Sequence, residues 1–317
     1  MRFTVAIPAY KGKFLYECIH SILKQDFKDF ELIIINDASP ENLGEIVQQF
    51  NDDRITYFKN SVNIGGENVV DNWNLCLSYA KGDYFVLMGD DDTMQSNYLS
   101  VFNDLINRYP ENEVYHCRSF IINSNSEVIG LTPSWPDWES VYENMWHRVN
   151  KFRSQYVSDF VYKRESLIKA GGYYKLPLAW ASDDITSYKA AADKGIVHSQ
   201  EPVFCYRQSE FTISNSGSID LKMNAIIEEE RWVDTFLKNN LPDNYLDQCF
   251  YNMIKYDKDK LFLKKRIDTI AYNGFTKGYY LRDMIKFVSK KNKYRLSLQH
   301  LIYALILTVK KNRSKII

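Results

Sequence analysis

Tyr84-Phe85-Val86-Leu87-Met88 is a short apolar run that stops, one glycine later, at three consecutive carboxylates, Asp90-Asp91-Asp92. A run this short and continuous reads as a strand covered on both faces. Strands of that kind belong to parallel sheets layered with helices. Three like charges at a strand end are unfavourable unless a cation offsets them. Hard oxygen ligands suit Mg2+ or Mn2+, and those ions usually bring a phosphate with them. The competing reading of the triplet is a solvated acidic turn.

The preceding residues strengthen the first reading. Apolar strands are expected at Phe3–Ile7, Phe30–Ile35 and Ile55–Phe58. Helical spacing recurs at Phe14–Leu23, Leu43–Phe50 and Val69–Ala80. Strand-helix alternation predicts an α/β fold with a parallel sheet, and ligands then bind beyond the carboxyl ends of the strands. Pro8-Ala9-Tyr10, Asn36-Asp37 and Asp90-Asp91-Asp92 all lie at those ends, so three segments converge on one rim.

Beyond the triplet the pattern is mixed. Strands are expected at Glu113–Ile122, Glu127–Leu131, Ile196–His198 and Val203–Tyr206, with a helix from Ser182 to Ala192. After Ser218 the spacing is helical, over Ile219–Lys238, Tyr245–Lys264, Ile267–Val288 and Ser297–Lys310, with Gly274 and Gly278 as weak points. A boundary is placed near residue 217, giving regions 1–217 and 218–317.

Charge separates these regions. The formal net charge of the 317 residues is zero, which argues against a general nucleic-acid binder. From Lys255 onward, however, 17 Lys/Arg face four Asp and no Glu. The five cysteines form no CxxC pair and the five histidines no zinc-like spacing, as in a reduced cytoplasmic protein. Met1-Arg2-Phe3 enters a strand at once, leaving no room for a signal peptide, and no apolar run approaches the ~20 residues of a membrane span.

Order and spacing of the motifs carry a resemblance. Val5-Ala6-Ile7-Pro8-Ala9-Tyr10, Ser21-Ile22-Leu23-Lys24-Gln25-Asp26-Phe27, Ile35-Asn36-Asp37-Ala38-Ser39, Asn63-Ile64-Gly65, Ala80-Lys81-Gly82-Asp83-Tyr84 and the Asp triplet resemble family 2 glycosyltransferases over roughly the first 215 residues. The resemblance implies a GT-A fold, an α/β domain with a Rossmann-like mixed sheet, here with a helical C-terminal extension. It also implies transfer of a sugar from a nucleotide-sugar, a UDP-sugar in this reading, to an acceptor hydroxyl with inversion. Bacterial surface polysaccharide synthesis follows from the same resemblance.

Site residues are expected as follows. Asp37 accepts an N–H of the base, and Tyr10, with Pro8 and Ala9, offers it a π-face; Asp37 would serve equally as a turn residue. The triplet matches the family's Asp-x-Asp motif, with Gly89 where an Asp is commoner. Asp92 with Asp90 takes Mn2+ or Mg2+, while Asp90 or Asp91 faces the ribose. Ser182-Asp183-Asp184-Ile185 matches the family's Glu-Asp motif, so Asp184 is the base expected to take the acceptor's proton, with Asp183 beside it. The alternative is an ordinary acidic helix start. Asn74 and Arg207 are expected at the diphosphate, although Trp73 replaces a common Arg. Gly172 and Trp180 are expected at the sugar or acceptor pocket, and Gln208–Ser214 as a lid.

The C-terminal Leu296–Val309 face, followed by Lys310-Lys311-Asn312-Arg313, fits a basic amphipathic helix on the anionic inner face of the plasma membrane, where lipid-linked or glycan acceptors reside. Packing on neighbouring helices or in a homo-oligomer is the alternative. Two other functions compete. Gly89 and Trp73 suggest a nucleotide-sugar-binding scaffold without catalysis. A nicotinamide enzyme is disfavoured because Pro8-Ala9-Tyr10 stands where GxGxxG belongs.

Overall fold

The computed structural model describes residues 1–208 and 217–314, with side chains through Lys311. Two compact units divide them. The first comprises Met1–Lys175 and the chain from Ser182; the second comprises Leu176–Ala181 and the C-terminal helices.

The first unit opens β1 (Phe3–Ala9), α1 (Leu15–Leu23), β2 (Phe30–Asn36), α2 (Leu43–Val47), β3 (Ile55–Lys59), α3 (Val69–Tyr79) and β4 (Tyr84–Leu87). It continues with β5 (Thr93–Met94), α4 (Tyr98–Arg108), β6 (Val114–Ile122), β7 (Val128–Leu131), β8 (Trp138–Glu139), α5 (Val141–Val149), β9 (Phe160–Lys163), α6 (Arg164–Lys169), α7 (Ser182–Ala191) and β10 (Ile196–Arg207). The strands form one sheet ordered β3-β2-β1-β4-β9-β6-β10-β5. β1 pairs in parallel with both β2 and β4, and β2 with β3. Every residue of β2 is buried, which accounts for its unbroken apolar run.

The sheet is mixed, as the GT-A resemblance implies. β9 runs antiparallel between β4 and β6, and had no clear signal in its four residues Phe160–Lys163. The two closing strands expected at Ile196–His198 and Val203–Tyr206 are a single strand, β10. Its register on β6 slips between Ser199, Pro202 and Phe204. Pro202 lacks the N–H that a regular ladder needs, so a local irregularity there is the favourable solution.

The second unit holds α8 (Ile219–Asn239), α9 (Tyr245–Asn273), α10 (Tyr280–Lys290) and α11 (Leu298–Ser314). α9 runs through the expected break at 264–267 and ends at Gly274, where the glycine signal was the correct one. Acidic residues of α8 neutralise part of the basic tail. Glu230 Oε2 accepts Arg266 Nη1 at 2.9 Å and Arg295 Nη1 at 2.7 Å. Asp220 takes Lys290 Nζ at 2.5 Å and the Tyr294 hydroxyl at 2.8 Å.

Candidate active site

Parallel pairing brings the ends of β1, β2 and β4 side by side, with Ala9 opposite Asn36 and Ala6 opposite Leu87. Asp90 Oδ2 accepts the backbone N–H groups of Tyr10 at 2.7 Å and Lys11 at 2.8 Å. The Tyr10 carbonyl accepts Ser39 Oγ at 2.6 Å, and Ala9 O accepts the Asp37 N–H at 2.8 Å. The loop after β1, entered through Pro8 within the strand, is therefore clamped from both neighbours. The Tyr10 side of it still faces outward, at 42 % exposure.

Asp37 is buried, and its carboxylate makes four bonds to one loop. Oδ1 accepts Asn60 Nδ2 at 2.9 Å and the Ile64 N–H at 2.8 Å. Oδ2 accepts Asn63 Nδ2 at 3.0 Å and the Gly65 N–H at 3.1 Å. That set explains the Asn63-Ile64-Gly65 motif, which supplies three of the four donors. A base N–H directed at Asp37 would share an acceptor already in use.

Burial and charge crowding dominate the triplet. Asp90 is pushed up to about 6, mainly by burial and against the pull of the Lys11 and Tyr10 amides. Asp92 is raised well above the ordinary carboxylate range by burial, then by Asp91. Asp92 Oδ1 accepts the Arg207 N–H at 2.8 Å. Its Oδ2 lies where a side chain at residue 89 would stand, 2.6 Å from an ideal Cβ. Glycine at 89 thus makes room for Asp92 rather than merely deleting a carboxylate.

Among the described residues no three His, Cys, Asp or Glu side chains converge as a complete metal cage. Mg2+ sites need only one or two carboxylates when phosphate oxygens supply the rest. Consecutive acids whose ionised forms are disfavoured by burial and mutual repulsion suit such a cation, so the residues present fit the group.

The other carboxylates stand at the start of α7. Asp184 Oδ1 accepts Arg148 Nε and Gln155 Nε2, each at 2.8 Å, and Oδ2 accepts Arg148 Nη2 at 3.1 Å. Asp183 is pushed up to about 7 by burial, then by the Asp184 charge. Tyr156 and Tyr206 stack on one another, with centroids 3.8 Å apart and planes within 9°. The Tyr206 hydroxyl is pushed up to about 12 by burial, then by Asp92, Asp91 and Asp183. Arg207, next to Tyr206, donates its N–H to Asp92, and Gln155, next to Tyr156, donates to Asp184, so the stacked pair joins the segments that hold the two acidic groups.

Other expected residues are placed differently. Asn74 and Gly172 form a clasp: Asn74 Oδ1 accepts the Tyr173 N–H at 2.8 Å, and Nδ2 donates to Tyr173 O at 3.0 Å. Gly172 has φ +71°, and a Cβ there would lie 2.4 Å from Asn74 Oδ1. Trp73 packs edge-on against Tyr173, 5.5 Å between centroids. Arg207 is fully buried. Its guanidinium donates to Asp91 O at 2.6 Å, Asn123 O at 3.0 Å, Ser126 Oγ at 2.9 Å and Glu17 Oε2 at 2.9 Å. A diphosphate contact would require this network to open. Trp180 belongs to the second unit, where Lys222 Nζ lies 5.1 Å from its ring centroid. Of the expected lid, 209–214 lies outside the described residues.

Sequence reasoning missed Arg148, Gln155, Tyr156 and Tyr206. Only Tyr206 carried a signal, as the neighbour of Arg207 at the end of an expected strand.

A mixed α/β sheet with acids on its rim and a second acid pair ahead of a helix defines the GT-A class of fold. Solved structures agree. The fold matches that of Staphylococcus aureus TarS 1-349, solved in complex with UDP-GlcNAc, at TM-score 0.67 and 15% identity, covering 98% of this chain and 89% of that one. It also matches the mannosyltransferase PcManGT of Pyrobaculum calidifontis, solved with GDP-Man and Mn2+, at TM-score 0.53 and 14% identity, covering 98% and 86%. The family model for glycosyl transferase family 2 matches residues 4–169, and the chain belongs to that family. A Campylobacter jejuni relative, GalNAc(5)-diNAcBac-PP-undecaprenol beta-1,3-glucosyltransferase, is 38% identical over 102 residues, 31% of this chain and 32% of that one. The chain matches about a third of the length of such curated relatives.

Proposed function

We propose that this protein is a metal-dependent inverting glycosyltransferase that moves a sugar from a nucleotide-sugar, a UDP-sugar in the simplest reading, to an acceptor hydroxyl. The observation that carries this is the Tyr156–Tyr206 stack, which joins the neighbour of Arg207, donor to Asp92, to the neighbour of Gln155, donor to Asp184. Tyr10 presents a stacking face to the base, and Asp37 fixes the loop beside it. Asp92, with Asp91 or Asp90, would hold Mn2+ or Mg2+. Asp91 is the better-placed partner, because Asp90 Oδ2 already serves two amides. Such an ion supplies offsetting charge for the departing diphosphate.

Direct displacement also needs a base. Burial and the neighbouring Asp184 charge push the Asp183 carboxyl up to about 7, and Asp184 is the member whose direction is fixed by Arg148 and Gln155. Asp184 takes the acceptor's proton as the new bond forms, and the nucleoside diphosphate leaves from the opposite face. Nucleoside diphosphate release should be measured over a panel of UDP- and GDP-sugars, with and without Mn2+. Metal-dependent turnover that disappears in Asp184→Asn supports the reading. Donor binding without turnover in the wild-type protein would favour the scaffold, whose motive at Gly89 is weakened by the room that glycine makes for Asp92.

The acceptor is proposed to be a lipid-linked glycan of bacterial surface polysaccharide synthesis, reached at an anionic membrane. No helix among the described residues is long and apolar enough to cross a membrane. On α11, Leu298, Ile302 and Ile306 recur every fourth residue and are 48, 47 and 46 % exposed. α10 exposes Leu281 and Ile285 with Arg282 and Lys286. An apolar stripe with basic neighbours complements anionic headgroups. Ile302→Asn with Ile306→Asn should reduce co-sedimentation with phosphatidylglycerol vesicles. Equal binding to neutral vesicles, or no loss in the variant, removes this part of the reading.

A further inference from the structure

Beneath the Asp183–Asp184 pair, six residues close a ring of hydrogen bonds. Glu139 ends β8 and is fully buried. Its Oε1 accepts Asn144 Nδ2 at 2.6 Å. The same amide reaches Gln155 Oε1 at 3.4 Å, and Gln155 Nε2 donates to Asp184 Oδ1 at 2.8 Å. Asp184 accepts both forks of Arg148, whose Nη1 donates to Arg153 O at 2.6 Å. Arg153 Nη1 returns to Glu139 Oε2 at 2.6 Å. Two carboxylates and two guanidiniums cancel within the ring, which makes the full burial of Glu139 and the partial burial of the other three tolerable.

Glu139 is the joint of this ring. One oxygen secures the Asn144–Gln155 arm and the other the Arg153–Arg148 arm, and both arms end on Asp184. Arg153 is held in turn by Trp135, with Cζ 4.7 Å from the ring centroid. Burial disfavours the Glu139 charge, but His198, Asn144 and Arg153 outweigh it and hold its carboxyl below the usual range. The titratable groups facing Glu139 are His198, with Nε2 3.2 Å from Oε1, Arg153 and His147. Those facing Asp184 are Asp183, Arg148 and Tyr162.

We propose that Glu139 is a positioning residue for the acceptor-activating carboxylate, fixing through one buried ring both side chains that orient Asp184. It touches no substrate, and the inference rests on the assignment of Asp184 as base.

The test is the pH dependence of kcat for nucleoside diphosphate release, together with donor KM, in Glu139→Gln, Gln155→Met and the double variant. Replacing one Glu139 oxygen by an amide nitrogen sets donor against donor in one arm and leaves the other arm only a neutral acceptor, which opens the ring. The expected result is a kcat about tenfold lower with donor KM unchanged. The acid limb should move upward by about one pH unit, because Asp184 loses donors to its ionised form. The double variant should be no worse than the poorer single one, since both break one ring. An unmoved acid limb, or additive losses, overturns the proposal. Should Glu139→Gln fail to fold, Asn144→Ala, which leaves the Glu139–Arg153 pair intact, is read by the same criteria. Asp184→Asn separates the two failures. If it stays active, the base assignment falls; if it is inactive while Glu139→Gln keeps the wild-type profile, only the ring falls.

Discussion

The rim of β1, β2 and β4 and the α5–α7 side of the same unit both hold carboxylates, but by different means. Asp90 is held by two backbone amides, and Asp37 by two amides and two asparagines. Asp184 is held wholly by side chains, Arg148 and Gln155, which lie 36 and 29 residues away in the chain. Backbone N–H groups exist whatever the sequence, so an acid at a parallel strand end finds them through topology alone. Side-chain donors must be specified at distant positions. Rim acids should therefore be sensitive mainly at the acid itself, and the α7 acid at its partners too.

The largest expected effect tests that asymmetry on the α7 side. Asp184→Asn should lower kcat by about 10³, within the range for loss of a positioned base. Arg148→Met should lower kcat by about 10² and also destabilise the fold, because it leaves a buried carboxylate unpaired. If Arg148→Met is silent, side-chain holding is not what distinguishes this region. On the rim, Asp37→Ala should cost about 3 kcal/mol of stability in urea titration, since it strands several buried donors. Asn63→Ala should cost only about 1 kcal/mol, because the amides of Ile64 and Gly65 keep the acid in place. Equal losses from the two would break the comparison.

A third expected effect concerns pH. Asp183 binds its proton more tightly in the folded protein, pushed up to about 7 from the ordinary 3.8. Its contribution to stability is then present at low pH and lost as pH rises through about 7. Asp183→Asn should stabilise the protein at pH 8 by about 2 kcal/mol, allowing for titration shared with Asp184, and change little at pH 4. A gain in stability at pH 4 instead would reverse the sign and exclude a raised Asp183.

The same difference decides what could be read from sequence. β1, β2 and β4 are continuous apolar runs, and the acids that follow them need no further information to meet. Asp37, Asp90 and Asp92 were therefore legible as a cluster, although not as loop clamps, because a carboxylate that accepts an amide looks the same in sequence as one that awaits a ligand. Arg207 was legible as a cation at a strand end, yet its donors go to Glu17, Ser126 and two carbonyls, contacts set by tertiary structure. β9 hides in four residues flanked by no turn signal, and Arg148 and Gln155 have no local pattern tying them to Asp184. Long-range polar pairing, unlike apolar periodicity, leaves no trace in a single sequence.

The smallest expected effect bears on the one rim residue whose role is not clamping. Tyr10 contributes its backbone to Asp90 and Ser39, and those bonds survive any side-chain change. Its ring is largely outside that network, so Tyr10→Ala should leave stability within about 0.5 kcal/mol. If the ring stacks on the base, the same variant should weaken UDP binding about tenfold, the loss of one aromatic-base contact. Calorimetric titration of UDP with Mn2+ reads this directly. Unchanged affinity would mean that the clamp orders the loop for its backbone alone, and the base would then have to be held by the Asp37 side of the rim.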